Sequence, residues 1–214
     1  MVTPANTRET GLVPSVRKVV RSIRARLNER KVQRQWIREG RPEPAPPHVK
    51  RARLRKYVLE SRLPVFLETG TLYGDTLVFL RRYFDELHSI ELSEELYRNA
   101  VIRFRNDSKI KLWQGDSATV LPRVLEVIER PTLFWLDGHY SGEGTGRGLA
   151  DTPIQHELTH ISRHRLHGQH RIIIDDARCF TGANGYPKKD ELRDLIAKLG
   201  FRSFEQEGDF FLVR

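Results

Sequence analysis

The sequence has few features of a secreted, cross-linked or membrane-spanning chain. Its 214 residues include a single cysteine, Cys179, so no intrachain disulfide can form and a reducing compartment is implied. No stretch approaches the ~18 apolar residues of a membrane span. The first thirty residues lack the continuous apolar segment of a signal peptide, so the cytoplasm is the expected address. No internal repeat is visible. Apolar content is low for a globular chain at 38%, and charged content is high at 30%, so one segment is expected to lie outside the core.

That segment is N-terminal. Residues 1–60 hold 16 Lys and Arg against 5 Asp and Glu, whereas residues 61–214 hold 21 against 23. The net charge of +9 therefore belongs to the arm, and the remainder is close to neutral. Val16, Val20, Ile23 and Leu27 recur at helical spacing among Arg and Lys, and Trp36 and Ile37 extend the pattern. The proline-rich stretch Arg41–Pro47 ends it and reads as a stiff linker. These features divide the chain into a basic helical arm with its linker, 1–47, and a globular domain, 48–214. A basic amphipathic helix fits packing on the core or on a partner subunit of a homodimer. It also fits contact with an anionic membrane surface or with RNA.

Beyond a short helix over 49–60, strands and helices alternate. The expected strands are Val65–Leu67, His88–Ile90, Ile110–Trp113, Leu133–Leu136 and Arg171–Ile174. Helices are expected over Asp75–Phe84, from Ser93, over Ala118–Glu129, from Pro153 and over Lys188–Leu199. Phe201–Glu205 and Phe210–Val213 form a closing hairpin around Gly208. This order predicts an α/β fold: a Rossmann-like, seven-stranded, mostly parallel sheet with helices on both faces and an antiparallel C-terminal hairpin.

In such sheets ligands bind beyond the carboxyl ends of the strands. Here those ends carry Glu68-Thr69-Gly70-Thr71-Leu72-Tyr73-Gly74-Asp75, then Glu91, then Gly115-Asp116-Ser117, then Asp137-Gly138-His139-Tyr140, then Asp175-Asp176. The first loop has neither the G-x-G-x-x-G spacing of a dinucleotide site nor the Gly-Lys-Ser/Thr of a phosphate loop. Its acids, Glu68 and Asp75, would repel a pyrophosphate and suit a ligand with cationic groups. Glu91 is placed to accept hydrogen bonds from two ribose hydroxyls.

On these residues the chain, from about Arg62 to Arg214, resembles the class I S-adenosylmethionine-dependent methyltransferases. The Glu-Thr-Gly-Thr loop resembles their first motif, with one usual glycine missing. Glu91 matches the ribose acid, and Gly115-Asp116-Ser117 the loop that brackets adenine. A strand ending Leu-Asp-Gly-His-Tyr-Ser-Gly is similar to that of a bacterial group related to the macrocin and catechol O-methyltransferases. The resemblance implies S-adenosylmethionine as cofactor, held by Glu68, Gly70, Thr71, Gly74, Glu91, Asp116, Ser117 and Asp137. It also implies a divalent metal, Mg2+, on Asp137, Asp175 and Asp176. His139 falls where the macrocin type has its general base, although an acid is usual there. Tyr140 and Arg178 are candidates for orienting a small-molecule or sugar hydroxyl. Without a metal, Asp137 would contact the methionine end of the cofactor and Asp175-Asp176 would shape a polar rim. The glycine-rich segment 141–148 reads as a lid or as an ordinary loop.

Two other classes compete. One is a non-catalytic module that keeps the fold and uses the arm for an anionic partner. The other rests on His156-Glu157-Leu158-Thr159-His160, the H-E-x-x-H pattern of zinc peptidases. Ile154, Leu158 and Ile161 share one helical face, which places His156 and His160 on the opposite, solvent-facing side. An enclosed zinc site does not suit that placement.

Overall fold

A computed structural model describes residues 27–137 and 152–214. The expected helix from Val16 therefore lies outside the described residues as far as Arg26. The chain divides into two units, Met1–Val49 and Lys50–Arg214.

In the first unit, helix α1 covers 27–38. It ends at Gly40, whose φ of +83° places it in the left-handed region that glycine tolerates. The start of the proline-rich linker is bonded back to α1. The Arg41 amide donates to the Trp36 carbonyl at 2.9 Å, and the Trp36 indole N–H donates to the Pro42 carbonyl at 2.7 Å. Helix α2, Pro47–Ser61, opens with proline, whose missing N–H would have no partner in a first turn.

In the second unit the order is β1 (Val65–Thr69), α3 (Asp75–Leu80), β2 (Glu86–Glu91), α4 (Glu94–Phe104), β3 (Ile110–Gln114), α5 (Ser117–Glu126), β4 (Thr132–Leu136), α6 (Ile154–Arg163), β5 (Arg171–Ile174), α7 (Lys189–Lys198), β6 (Phe204–Glu207) and β7 (Phe210–Val213). The seven strands form one sheet in the order β3-β2-β1-β4-β5-β7-β6. The first five pair in parallel, and β7 pairs antiparallel with both β5 and β6. The order reverses between β1 and β4, which places the crevice of a doubly wound sheet at their carboxyl ends.

Alternation along each strand builds two cores. Leu67, Phe134, Leu136, Ile172 and Ile174 face α5, α6 and α7. Phe66, Leu133, Trp135 and Ile173 face the side that Leu54, Tyr57 and Val58 of α2 cover together with Leu77 and Phe104. Helix α3 is shorter than expected and stops at Leu80. A turn over Arg81–Tyr83 carries Phe84 into the core, where its ring lies 5.3 Å from that of Phe66. The hairpin strand β6 begins at Phe204, later than expected, although Ser203 and Arg214 exchange backbone hydrogen bonds at 3.1 and 3.2 Å. No described helix is long and apolar enough to cross a membrane.

At the amino ends of the strands two histidines form a hydrogen-bonded relay. The Thr132 amide donates to His170 Nδ1 at 3.0 Å, so the single proton of a neutral His170 must sit on Nε2. That N–H donates to His164 Nδ1 at 2.7 Å, and His164 Nε2 donates to the Ile128 carbonyl at 3.2 Å. A proton added to His170 would break this relay in a buried position. Burial, then the neighbouring His164 and His167, lowers the His170 pKa from 6.5 to about 3. Its folded pKa lies below its unfolded value, so its contribution to stability is complete above pH 6.5 and is lost as pH falls from 6.5 towards 3. That contribution is on the order of 4 kcal/mol. Urea denaturation of wild type and His170→Leu should show the wild-type advantage shrinking from pH 7 to pH 4. A difference that stays constant across that range would show that His170 does not titrate on unfolding.

Candidate functional site

The loop after β1 is held from two sides. The Gly70 amide donates to the Ile90 carbonyl at 2.9 Å, and Gly70 has a φ of +93°. Glu91 is buried at the end of β2. Its two oxygens accept from the Leu72 amide at 2.8 Å and the Ser93 amide at 2.9 Å. One carboxylate thus fixes the loop and the start of α4 together, and each oxygen keeps a lone pair for a further donor. Thr71, also buried, bonds to Ser89 Oγ at 2.5 Å.

Glu68 lies beneath this loop and is 1% exposed. Ser89 Oγ donates to it at 2.8 Å. Burial, with the charges of Asp137 and Glu91, raises its pKa well above the ordinary carboxylate range. Gly74 packs against a neighbour: a Cβ there would lie 2.6 Å from the Phe104 ring, at a φ of +72°. Asp75, exposed, pairs with Arg103 at 2.9 Å.

Asp116 caps α5, its Oδ1 accepting from the Ala118 amide at 2.9 Å. The next residue, Ser117, turns inward and donates to Glu157 at 2.6 Å. Asp137 follows β4 at the switch point, and its amide donates to the Thr69 carbonyl at 3.2 Å. Glu68, Thr71, Glu91 and Asp137 are thus brought to one end of the sheet. His139 and Tyr140, as well as the 141–148 segment, lie outside the described residues.

After β5 the acids are occupied by cations. Lys50 Nζ donates to Asp175 Oδ2 at 2.7 Å and to Asp176 Oδ1 at 3.0 Å. Asp175 Oδ1 accepts the Asp176 amide at 2.7 Å. Arg178 bonds to Asp176 Oδ1 at 2.6 Å and to Asp209, which is buried at the β6–β7 turn. The Arg178 guanidinium, a candidate for orienting substrate, ties two acids together. Burial alone would lower the Lys50 pKa, but the charges of Asp175, Asp176 and Asp137 raise it above the ordinary lysine value.

Among the described residues, the acidic side chains whose oxygens converge are Asp175, Asp176 and Asp209, and Asp137 is not one of them. A Mg2+ ion requires near-octahedral oxygen ligands at roughly 2.0–2.1 Å. The expected set of Asp137, Asp175 and Asp176 does not fit such an ion in this arrangement, because the oxygens of the Asp pair already hold an ammonium, a guanidinium and an amide.

The H-E-x-x-H segment forms the seam between α5 and α6. Pro122 lies inside α5 and has no N–H for the Ala118 carbonyl, its helical partner four residues back. His160 Nε2 donates to that carbonyl at 3.0 Å. His160 is therefore half-buried, a correction to the solvent face expected for it, while His156 is exposed. Glu157 is 1% exposed and receives Ser117. These contacts account for the motif through helix packing and leave it unsuited to zinc.

Lys50, Glu157 and Asp209 were missed by sequence reasoning. Glu157 was recoverable, since it stands three residues after Ile154 and four before Ile161, on the apolar face of α6.

Comparisons with known proteins agree with this architecture. No protein-family model matches the chain, and no match is found among curated proteins. Solved structures do match. The O-methyltransferase TomG from Streptomyces achromogenes, involved in tomaymycin synthesis and solved in complex with SAM, has a TM-score of 0.56. It is 15% identical, over 86% of this chain and 86% of its own. A Podospora anserina methyltransferase solved with bound SAH has a TM-score of 0.55 and 14% identity, over 95% and 98% of the two chains. The fold is the Rossmann-like methyltransferase fold. The chain spans 48% of the length of human N-acetylserotonin methyltransferase, at 16% identity and a TM-score of 0.49 over 72% of its own length.

The Glu157 carboxyl has a testable consequence. Burial raises its pKa from 4.5 to about 7, with the charges of Asp116 and Asp137 acting in the same direction. Its folded pKa exceeds its unfolded value, so the neutral acid stabilises the fold fully below pH 4.5, and this contribution is lost as pH rises through 7. Glu157→Gln keeps an uncharged side chain there. Its stability relative to wild type should rise from pH 4.5 to pH 8 by about 3 kcal/mol in urea denaturation. A flat difference over that range would mean that Glu157 is ionised in the folded protein.

Proposed function

We propose that this protein is an S-adenosylmethionine-dependent methyltransferase acting on a hydroxyl of a small molecule or sugar. The observation that carries this reading is Glu91, buried at the end of β2 with both oxygens fixed by the backbone amides of Leu72 and Ser93. An acid so held presents its remaining lone pairs at the rim of the crevice without side-chain freedom to lose. The surrounding charge supports the same choice of ligand. Glu91 and Asp137 supply negative charge to the crevice, and the 70–74 loop holds no Lys or Arg, which suits a sulfonium and an ammonium and disfavours a pyrophosphate. The likeness to the TomG and Podospora structures supports the fold that such a site needs.

When bound, S-adenosylmethionine supplies an electrophilic methyl group, and the C–S electron pair stays on sulfur when a new O–C bond forms. In this reading Glu91 holds the ribose hydroxyls, and the Gly70–Gly74 loop passes close to the nucleoside. Asp116 and Ser117 border the adenine, and Asp137 faces the methionine end. His139 takes the acceptor proton, a role suited to an imidazole near neutral pH. Tyr140 lies beside it in sequence and orients the acceptor. Positioning the acceptor oxygen in line with the methyl is the main contribution of the chain.

Calorimetry with S-adenosylmethionine and S-adenosylhomocysteine should show binding to wild type. Glu91→Ala should weaken it roughly 10- to 100-fold, the expected effect of losing hydrogen bonds to a charged group. The absence of binding to wild type would refute the reading.

A further inference from the structure

The acids after β5 sit where the resemblance places a divalent ion, yet a side chain from α2 fills that position. Lys50 is 125 residues from Asp175 in sequence, and its ammonium contacts Asp175 Oδ2 and Asp176 Oδ1. The Asp175 side chain is 1% exposed, that of Asp176 6% and that of Lys50 21%. A surface ion pair between flexible chains contributes little, but both carboxylates here are buried, and a buried carboxylate left without a cation is costly. An ammonium has three N–H donors. The two aspartates take two, and the third has no partner among the described residues.

We propose that Lys50 is the resident cation of the acceptor end of this site, in place of a divalent metal. This inference rests on the methyltransferase reading for the identity of the acceptor, an oxygen nucleophile. A divalent ion held by Asp175 and Asp176 would need the carboxylates that Lys50 contacts, so the two would compete. A fixed ammonium supplies the positive charge that favours a hydroxylate over a hydroxyl, and its remaining donor is directed to an oxygen acceptor. The site then needs no ion from solution. The acceptor class follows: a phenolic or sugar hydroxyl, whose oxygen accepts one hydrogen bond from an ammonium, without the paired oxygens of a catechol that chelate a metal.

The test compares Mn2+ binding, by electron paramagnetic resonance and calorimetry, with S-adenosylhomocysteine binding in the same preparations. Wild type should bind S-adenosylhomocysteine and no Mn2+ at millimolar concentration. Lys50→Ala removes the ammonium from Asp175 and Asp176 while Arg178 stays on Asp176, and it should acquire a single Mn2+ site, its affinity on the order of tenfold or more above wild type. Asp175→Asn in the same chain should remove that site. Lys50→Arg, which keeps a cation, should bind no Mn2+. If Lys50→Ala does not fold, Lys50→Gln keeps a donor without the charge and should acquire the site in its place. The proposal is overturned if wild type binds one Mn2+ that Asp175→Asn abolishes. It is equally overturned if a folded, uncharged Lys50 variant gains none. Failure of wild type to bind S-adenosylhomocysteine would count against the methyltransferase reading alone, and the Mn2+ comparison would still decide the role of Lys50.

Discussion

Parallel strands that end in carboxylates must bring those charges out of water, and the structure depends on how they are compensated. Asp175 and Asp176 follow β5 in the interior, and Asp209 lies buried at the β6–β7 turn. Ionised carboxylates in such positions cost several kcal/mol each unless paired. Lys50 and Arg178 provide the pairing, and in doing so they join distant parts of the chain. Lys50 ties the start of the second unit to the end of β5. Arg178 ties the segment after β5 to the terminal hairpin, through both its guanidinium and its backbone amide on Asp209. These pairs join the carboxyl end of the sheet to α2 and to the terminal hairpin.

The same requirement, that buried polar groups find partners, explains the seam between α5 and α6. Pro122 leaves the Ala118 carbonyl without an amide, and His160 supplies a donor. Ser117 leaves the exposed cap to reach Glu157, whose burial raises its pKa to about 7. A short sequence that reads as a metallopeptidase motif is thus a set of packing contacts. Its histidines and its glutamate are each spent on a neighbour from α5 or left in solvent.

The fold was legible because alternating apolar strands and amphipathic helices carry the information locally. Val65–Leu67 and Leu133–Leu136 announce themselves by composition, and the acids and glycines after each strand mark the ligand end of the sheet. The register of Glu91 on the Leu72 amide was legible only as far as its position, since hydrogen bonding to a loop nineteen residues earlier is not written in spacing. Lys50 was illegible. It stood in a short basic helix to which no role was given, and its partners lie across the whole domain. Asp209 read as a turn former, and only the folded hairpin shows it bound to Arg178. Glu157 was within reach of helical spacing, but a stronger motif claimed it. Ends of elements shifted by a few residues where the core demanded it, as at Phe84.

The central claim is that Glu91 and Lys50 define the two ends of one site, a nucleoside end and an acceptor end. A crystal structure of the protein with S-adenosylhomocysteine, grown with Mg2+ present, tests both at once. The account predicts the ribose hydroxyls on Glu91 and the Lys50 ammonium still between Asp175 and Asp176. A nucleoside bound elsewhere, or a metal ion on Asp175 and Asp176 with Lys50 displaced, would contradict it.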